Sequence, residues 1–416
     1  MTDSSTLRRA GSPGPLESEV LVIGAGIGGS LCACLLRDAG VDVRLIDSQP
    51  RPMQGASRWN EGKIHLGFVY TGTPSLESAR LMLEGAAVFE AVLGQLGVSL
   101  SDQWYSDRVV YLVDENSIFP ADLLWQRATL VADLLQTEAE RRPGLRRYLG
   151  NEPVLRRLDG DEAASRTKQG RFVAAWETAE RSLSARPLAD EIAEAVRRRD
   201  IPFATGRVRR IGGNDNLWTV ETDRGALLSA PVVVNCSWES RPALDAQVTP
   251  TVPPTSVRYK RALFGRGLSA GIAPSTRILG PFGDVTPYRN GDCYLSWYPI
   301  ALAGQSEDGT PPAIADIVPS SLIERTLAIY GFDGPEWKTV DWTVAGGYIV
   351  ARGHGNIADP ASPLHSRSEA DARELRPGYI SLETGKFSLG PLLAARAARL
   401  ALARLGRSAA AETALI

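Results

Sequence analysis

The chain has 416 residues, of which 44% are hydrophobic and 23% are charged, a composition typical of a globular protein of two or three domains. Lys and Arg total 46 against 48 Asp and Glu, so the sequence lacks the basic surplus of a nucleic-acid-binding protein. No stretch approaches the roughly 18 apolar residues that cross a bilayer, which argues against a membrane-spanning protein.

Residues 1–17 are rich in Ser, Pro and Gly and have no apolar core of the kind that a secretory signal needs. We therefore predict a disordered leader over 1–17. The four cysteines are too few for a disulfide framework, and no Cys or His pattern completes a metal-binding set. The sequence thus predicts buried thiols, no metal site and a cytoplasmic location.

The first regular unit predicted after the leader is a βαβ motif. Residues 20–23 are continuously apolar, as in a strand that is buried on both faces. Residues 31–36 have the pattern of a helix that ends just before Gly40, and residues 43–46 predict a second strand. This order and length are typical of a parallel pair with a right-handed crossover.

A glycine-rich turn joins the first strand to the helix and matches the GxGxxG pattern. Its first glycine would allow the tight turn, its second would let a pyrophosphate approach the backbone, and its third would let helix and strand pack closely. The second strand closes with an acidic residue, 18 positions after the motif, which would accept a ribose hydroxyl. In this context the motif predicts a dinucleotide site that includes Gly24, Gly26, Ile27, Gly28, Gly29, Asp47 and Ser48.

Downstream, helical periodicity covers 76–96, 123–141, 187–199 and 389–405. Strand-like runs occupy 203–234, and 255–300 alternates strand patterns with turn signals, which predicts a mixed or antiparallel sheet. The sequence is therefore assigned to the α/β class.

Three further segments follow the glycine motif in a recurring order. Residues 54–70 (QGASRWNEGKIHLGFVY) come after the second strand, 231–239 (PVVVNCSWE) end an apolar strand, and 381–388 (SLETGKFS) precede the last helix. Together with the glycine motif they resemble the D-amino-acid-oxidase-like superfamily, which includes glycine, sarcosine and L-2-hydroxyglutarate oxidases. The resemblance covers about residues 18–409.

The resemblance implies FAD as the cofactor. Some relatives bind the flavin covalently through a Cys near the C-terminus, but the last Cys here is Cys293, far upstream of the 381–388 segment, so we predict non-covalent FAD. A helix that opens near Ser388 would direct its positive end at the flavin. Besides the glycine motif, the matched segments imply flavin or adenosine contacts by Ala56, Ser57, Arg58, Asn60, Gly62, Val208, Cys236, Ser237, Gly385, Lys386 and Phe387.

The family fold also implies a division of the chain into two domains. A Rossmann-like FAD-binding domain would comprise 18–90, 185–245 and 343–416. A substrate domain with a mixed or antiparallel sheet would comprise 91–184 and 246–342. A small-molecule substrate would bind between them.

Four residues are candidate catalytic groups. His65 would accept a proton from the substrate, or would only shape the pocket as a hydrogen-bonded structural histidine. Arg352 would bind a substrate carboxylate, although a surface position beside a turn is the alternative. Lys63 would promote oxygen reduction by its charge, and Tyr70 would face the flavin from the same segment.

The expected reaction is oxidation of a C–N or C–O bond in an amine, amino acid, 2-hydroxy acid or sugar, by hydride transfer to the flavin N5. Oxygen or another electron acceptor would reoxidise the flavin, and FAD would carry the chemistry while the protein positions it. The alternatives are a catalytically silent flavoprotein that acts as a binding module and a flavin monooxygenase. The sequence does not predict an oligomeric state.

Overall fold

The computed structural model describes residues 16–269 and 271–407. Most of the predicted leader, and the chain beyond 407, lie outside these residues. Residues 16 and 17 form a short strand that pairs in parallel with Leu227–Ala230. This pairing corrects the predicted boundary, because the last two residues assigned to the leader belong to a sheet.

A six-stranded sheet forms one half of the described structure, and the apolar β-branched runs of the sequence supply its buried centre. Five neighbouring strands are parallel, and only one edge strand is antiparallel. The predicted βαβ motif is confirmed, and its two strands lie in the interior of the sheet. In spatial order the strands are Ala372–Arg376, Tyr379–Leu382, Val232–Asn235, Val20–Ile23, Val43–Asp47 and Phe203–Thr205.

Four helices accompany this sheet. The first follows the glycine turn and contacts both the helix after residue 184 and the last helix of the chain. The predicted helices at these positions are confirmed to within a few residues. Their bounds are Ile27–Asp38, Glu77–Gln95, Ala185–Arg198 and Gly390–Arg404.

A second, four-stranded sheet lies beside the first and accounts for most of the strand-like pattern over 203–234. It is made of one parallel pair and two antiparallel pairs. Its strands, in spatial order, are Leu16–Glu17, Leu227–Ala230, Leu217–Thr222 and Val208–Asn214.

The other half is built on a nine-stranded sheet in which one parallel pair interrupts an otherwise antiparallel order. This mixed character confirms the sheet type expected for the substrate domain. Along the sheet lie Leu302–Ser306, Thr255–Arg266, Cys293–Trp297, Gly283–Pro287, Ser275–Ile278, Val110–Asp114, Phe172–Thr178 and Leu155–Leu158.

The ninth strand, Asp341–Arg352, pairs antiparallel with Thr255–Arg266 over its whole length. The predicted domain boundary at 343 cuts through this strand. Because its backbone hydrogen bonds go to the large sheet, residues 343–352 are part of that sheet and not of the six-stranded one.

The remaining elements are short helices and one long one at the periphery. None of the helices in the described ranges is long and apolar enough to cross a membrane. All four cysteines are free and buried, as predicted. The remaining α-helices are Ala121–Arg141, Gly160–Thr167, Arg241–Asp245, Tyr298–Ala301, Pro319–Tyr330 and Pro335–Lys338, and a two-stranded sheet joins Lys63–Ile64 to Arg181–Ser182.

Candidate active site

A cleft of about 860 Å³ lies between the parallel sheet and the nine-stranded sheet. The turns that follow the five parallel strands line one side of it, at the carboxyl edge where ligands bind in open α/β sheets. The strands around 258–262 and 343–349 line the other side. Of the predicted site residues it brings together Gly24, Gly26, Ile27, Gly28, Asp47, Ser48, Ala56, Ser57, Asn60, Lys63, His65, Val208, Cys236, Ser237, Gly385, Lys386 and Phe387.

The glycine turn requires its glycines for steric reasons. Gly24 has φ of +93°, and a Cβ there would lie 2.5 Å from the carbonyl oxygen of Cys236. A Cβ on Gly29 would lie 1.8 Å from the carbonyl oxygen of Gly24, so this residue packs behind the turn instead of lining the cleft. A Cβ on Gly26 would meet only the Ser57 hydroxyl, at 2.9 Å, and would occupy the space in front of the helix.

Two side chains accept hydrogen bonds from backbone N–H groups around the N-terminus of the first helix. Asp47 accepts hydrogen bonds from the backbone N–H of Ala25 at 2.6 Å and of Gln49 at 2.7 Å. The Ser57 hydroxyl accepts from the N–H of Ile27 at 2.9 Å, in the first turn of the helix. The carboxylate and the hydroxyl therefore lie where the sequence predicts a ribose and a phosphate.

Besides Gly29, four predicted site residues lie outside the cleft. Arg58 forms a salt bridge with Asp190 at 2.7 Å, and Gly62 packs against the backbone of Leu183. Tyr70 lies behind His65, with ring centroids 6.3 Å apart. These positions correct the predictions that Arg58 and Gly62 line the cofactor site and that Tyr70 faces it.

Arg352 is the fourth of these residues. Its Nε donates to Glu383 at 2.9 Å, and its Nη1 lies 3.3 Å from Glu369. It does not line the cleft. Because its guanidinium is already paired with two carboxylates, the structure corrects the prediction that Arg352 faces a substrate carboxylate.

His65 lines the cleft and is buried, and its Nδ1 has no hydrogen-bond partner in the described chain. Burial lowers the pKa of His65 well below its ordinary value, and the charges of Lys386, Lys63 and Arg367 lower it further. The ring is therefore neutral near pH 7 and has a nitrogen free to accept a proton. Its neighbour Tyr70 has a buried hydroxyl without a hydrogen-bond partner among the described residues, and burial raises the pKa of that group.

Lys63 is buried against a carboxylate on the large sheet. Its Nζ contacts the Thr276 hydroxyl and lies 3.2 Å from Asp284, which also accepts from Thr276 at 2.8 Å. Burial alone would raise the pKa of Asp284, but the charges of Lys63 and Lys260 and the hydrogen bonds from Thr276 and Lys63 outweigh it and lower this pKa. Lys63 and Asp284 thus form an ion pair without net charge in the wall of the cleft.

Arg258 is a site residue that the sequence reasoning missed. It is 3% exposed and lines the cleft, and its Nη1 donates to the Tyr298 hydroxyl at 2.8 Å. Its Nε has no partner, and no carboxylate of the described residues lies within 4 Å of it. Burial lowers the pKa of Arg258. Two positions further along the same strand, Lys260 also lines the cleft and donates to Ser296 at 3.2 Å.

The segment before the last helix closes the site from the other side. Burial, with the nearby charges of Arg367 and Lys63, lowers the pKa of Lys386 to about 8, although Glu61 opposes this shift. Arg367 lines the cleft and donates to the carbonyl oxygens of Gly385 at 3.3 Å and Leu364 at 2.8 Å. Arg367 was also missed, because it lies in an irregular loop without a sequence motif.

A family model for FAD-dependent oxidoreductases, named DAO, matches residues 19–358, which is most of the chain. The chain belongs to this family. It is therefore an FAD-dependent oxidoreductase, as the resemblance implied.

Solved structures share the fold of this FAD-dependent oxidoreductase at low sequence identity. Glycine oxidase from Geobacillus kaustophilus has a TM-score of 0.66 at 15% identity, covering 93% of this chain and 95% of that one. L-proline dehydrogenase from P. horikoshii has a TM-score of 0.64 at 16% identity, covering 95% of each chain. L-alpha-glycerophosphate oxidase from Mycoplasma pneumoniae, solved with FAD bound, has a TM-score of 0.63 at 12% identity, covering 92% of this chain and 94% of that one. A comparison with curated protein sequences gave no match.

The residues present fit FAD. The cleft runs from the glycine turn to His65 and Lys386, and the turn has no Cβ at Gly24, Gly26 and Gly28, which line the cleft at the helix N-terminus, where a pyrophosphate binds. Asp47 stands at the ribose end, and Lys386 supplies positive charge at the other end. The groups that would hold FAD are thus the glycine turn, Asp47, Ser57 and the 384–387 segment.

Proposed function

We propose that this enzyme oxidises a C–N or C–O bond in a small anionic substrate, such as an amino acid or a 2-hydroxy acid. The observation that supports this proposal is Arg258, a buried cation on the cleft wall without a carboxylate partner in the described residues. Bound FAD supplies the acceptor for the substrate hydride, and oxygen or another acceptor takes the electrons onward.

An unpaired buried charge is costly unless a ligand neutralises it. Removing a charged side chain from water costs several kcal/mol, which a nearby opposite charge recovers. Arg258 keeps a free Nε and uses Nη1 on Tyr298, so its guanidinium can still bind a carboxylate through two parallel hydrogen bonds. Tyr298 fixes its orientation.

His65 is the proposed proton acceptor. Its neutral ring and free Nδ1 fit a group that takes a proton from the substrate nitrogen or oxygen as the C–H bond breaks. The charges of Lys386, Lys63 and Arg367, which keep the ring neutral, also favour the anionic form of the substrate in the cleft. Lys63, paired with Asp284, is proposed to fix the segment that presents His65.

The cationic wall also ranks the substrate classes. A neutral sugar or a simple amine would leave Arg258 without a counter-ion, so acids are favoured over both. Because an imidazole can accept a proton from either a hydroxyl or an ammonium group, hydroxy acids and amino acids are both candidate donors.

A donor screen tests the proposal. The purified holoenzyme would be mixed anaerobically with amino acids, N-alkyl amino acids, 2-hydroxy acids, sugars and simple amines, and the flavin absorption would be followed. The proposal expects bleaching by at least one acid. Bleaching only by sugars or simple amines would overturn it.

A further inference from the structure

We infer that the substrate carries two anionic groups, the first bound by Arg258 and the second by Lys260, and that it is a short-chain dicarboxylate. This inference rests on the proposed function and adds a second binding group to it. Lys260 lines the cleft on the same strand as Arg258, Thr255–Arg266. Neither side chain was singled out by the sequence motifs.

The spacing of the two cations follows from the geometry of the strand. Residues two positions apart point to the same face, at a rise of about 3.3 Å per residue, so their Cα atoms are roughly 7 Å apart. Tyr298 connects the two side chains. Its hydroxyl accepts from Arg258 at 2.8 Å, and its ring centroid lies 5.7 Å from the Lys260 Nζ. The two cations therefore belong to one continuous wall.

No carboxylate of the described residues forms a salt bridge with Lys260. Asp284 lies near enough for the charge of Lys260 to lower its pKa, but its carboxylate is paired with Lys63 at 3.2 Å and also accepts from Thr276. In the described parts of the chain, no carboxylate oxygen lies within 4 Å of the Lys260 Nζ. Its ammonium group donates to Ser296 at 3.2 Å, which leaves two of its three donors for a ligand.

Basic side chains outnumber acidic ones along the whole cleft. Arg367 and Lys386 line it without a salt bridge to any group among the described residues, and so do two carboxylates, Glu61 and Glu239. A monoanionic substrate at Arg258 would leave the Lys260 charge unbalanced. A short-chain substrate with a second carboxylate balances both charges on the strand.

The test uses binding of ligands that cannot be oxidised. Glutarate and pentanoate have the same number of carbons, and they differ in the second carboxylate. Each would be titrated into the holoenzyme, and its Kd would be read from the perturbation of the flavin absorption spectrum. Because a second charge-assisted hydrogen bond is made, glutarate is expected to bind about tenfold more tightly than pentanoate.

Variants of Lys260 test whether this side chain binds the second carboxylate of the ligand. Lys260→Met should weaken glutarate about tenfold and pentanoate by less than about threefold, whereas Lys260→Arg should retain most of the preference. Lys338→Met, on an exposed short helix far from the cleft lining, is the matched control and should change neither Kd.

The outcomes separate this inference from the proposed function. Equal Kd values for glutarate and pentanoate, or an equal loss of both in Lys260→Met, would overturn the second anionic site. If Arg258→Met still weakened pentanoate in that case, the proposed function would stand. If neither acid bound, or if Arg258→Met left both Kd values unchanged, the anionic substrate itself would be wrong.

Discussion

Replacing Arg258 by Met should weaken substrate binding and stabilise the protein at the same time. Arg258 is 3% exposed, with one hydrogen bond at 2.8 Å to Tyr298 and no carboxylate within 4 Å in the described chain. A residue kept for a ligand, at the expense of the fold, has this combination of burial and missing partners.

The expected magnitudes follow from these contacts. Replacing a poorly compensated buried charge by an apolar side chain of similar length should raise the free energy of unfolding by about 1 to 3 kcal/mol. Truncating a buried charged partner of a carboxylate costs about 2 to 5 kcal/mol of binding free energy, which is roughly a 30- to 5,000-fold rise in the Kd of the substrate. The substitution should therefore stabilise the fold and weaken binding.

The assay compares wild type, Arg258→Met and Arg352→Met. Thermal unfolding of the holoenzyme gives the stability change, and anaerobic flavin reduction at varied donor concentration gives the binding change. Arg352→Met is the matched control because Arg352 pairs with Glu383 at 2.9 Å, outside the cleft. It should destabilise the protein and leave donor affinity almost unchanged.

Two results would refute this reasoning. One is an Arg258→Met protein that is less stable than wild type by more than about 1 kcal/mol, which would give Arg258 a structural role. The other is an Arg258→Met protein with unchanged donor affinity and an Arg352→Met protein with weakened affinity. That pattern would restore Arg352 as the carboxylate-binding residue.

Four further predictions follow from the site. His65→Gln should slow flavin reduction by roughly two orders of magnitude, and a rate within threefold of wild type would make His65 structural. The wild-type rate should not fall as the pH drops from about 8 to 6.5, because burial keeps the pKa of His65 well below 6.5. Gly26→Ala should weaken FAD binding at least about tenfold with little loss of apoprotein stability, since its Cβ meets only the Ser57 hydroxyl at 2.9 Å; equal FAD affinity by fluorescence quenching would contradict this. Since the pKa of Lys386 is about 8, the affinity for anionic ligands should be full at neutral pH and should fall as the pH rises through 8 and Lys386 loses its charge. Lys386→Arg should remove this fall in affinity. A fall that persists in Lys386→Arg would assign it to another group. Acid precipitation should release yellow FAD into the supernatant, and flavin that stays with the pellet would contradict non-covalent binding.

The nucleotide-binding half could be predicted closely from the sequence. Its elements are local: an apolar run, a glycine turn whose glycines are sterically required, and an acidic strand end at Asp47 all lie within one short stretch. The positive φ of Gly24 and the tight contact behind Gly29 explain why such a turn leaves a recognisable pattern.

The substrate-binding side could not be predicted in the same way. Arg258 belongs to a strand whose alternating basic residues, in VRYKR, resemble an ordinary solvent-exposed face. That face points into the cleft only because the strand pairs with Asp341–Arg352 and lies over the cleft. Arg352 was misassigned for the related reason that its partner, Glu383, is distant in sequence and is brought close only by the fold.

The most direct test of an anionic substrate anchored at Arg258 is a comparison between the best donor acid and its own neutral amide. Each would be added anaerobically to the purified holoenzyme, and the rate of flavin bleaching would be measured at several concentrations. The acid is expected to bleach the flavin, and the amide to do so at least about thirtyfold less efficiently, because the amide cannot neutralise Arg258. Equal bleaching by acid and amide would show that Arg258 does not bind a substrate carboxylate.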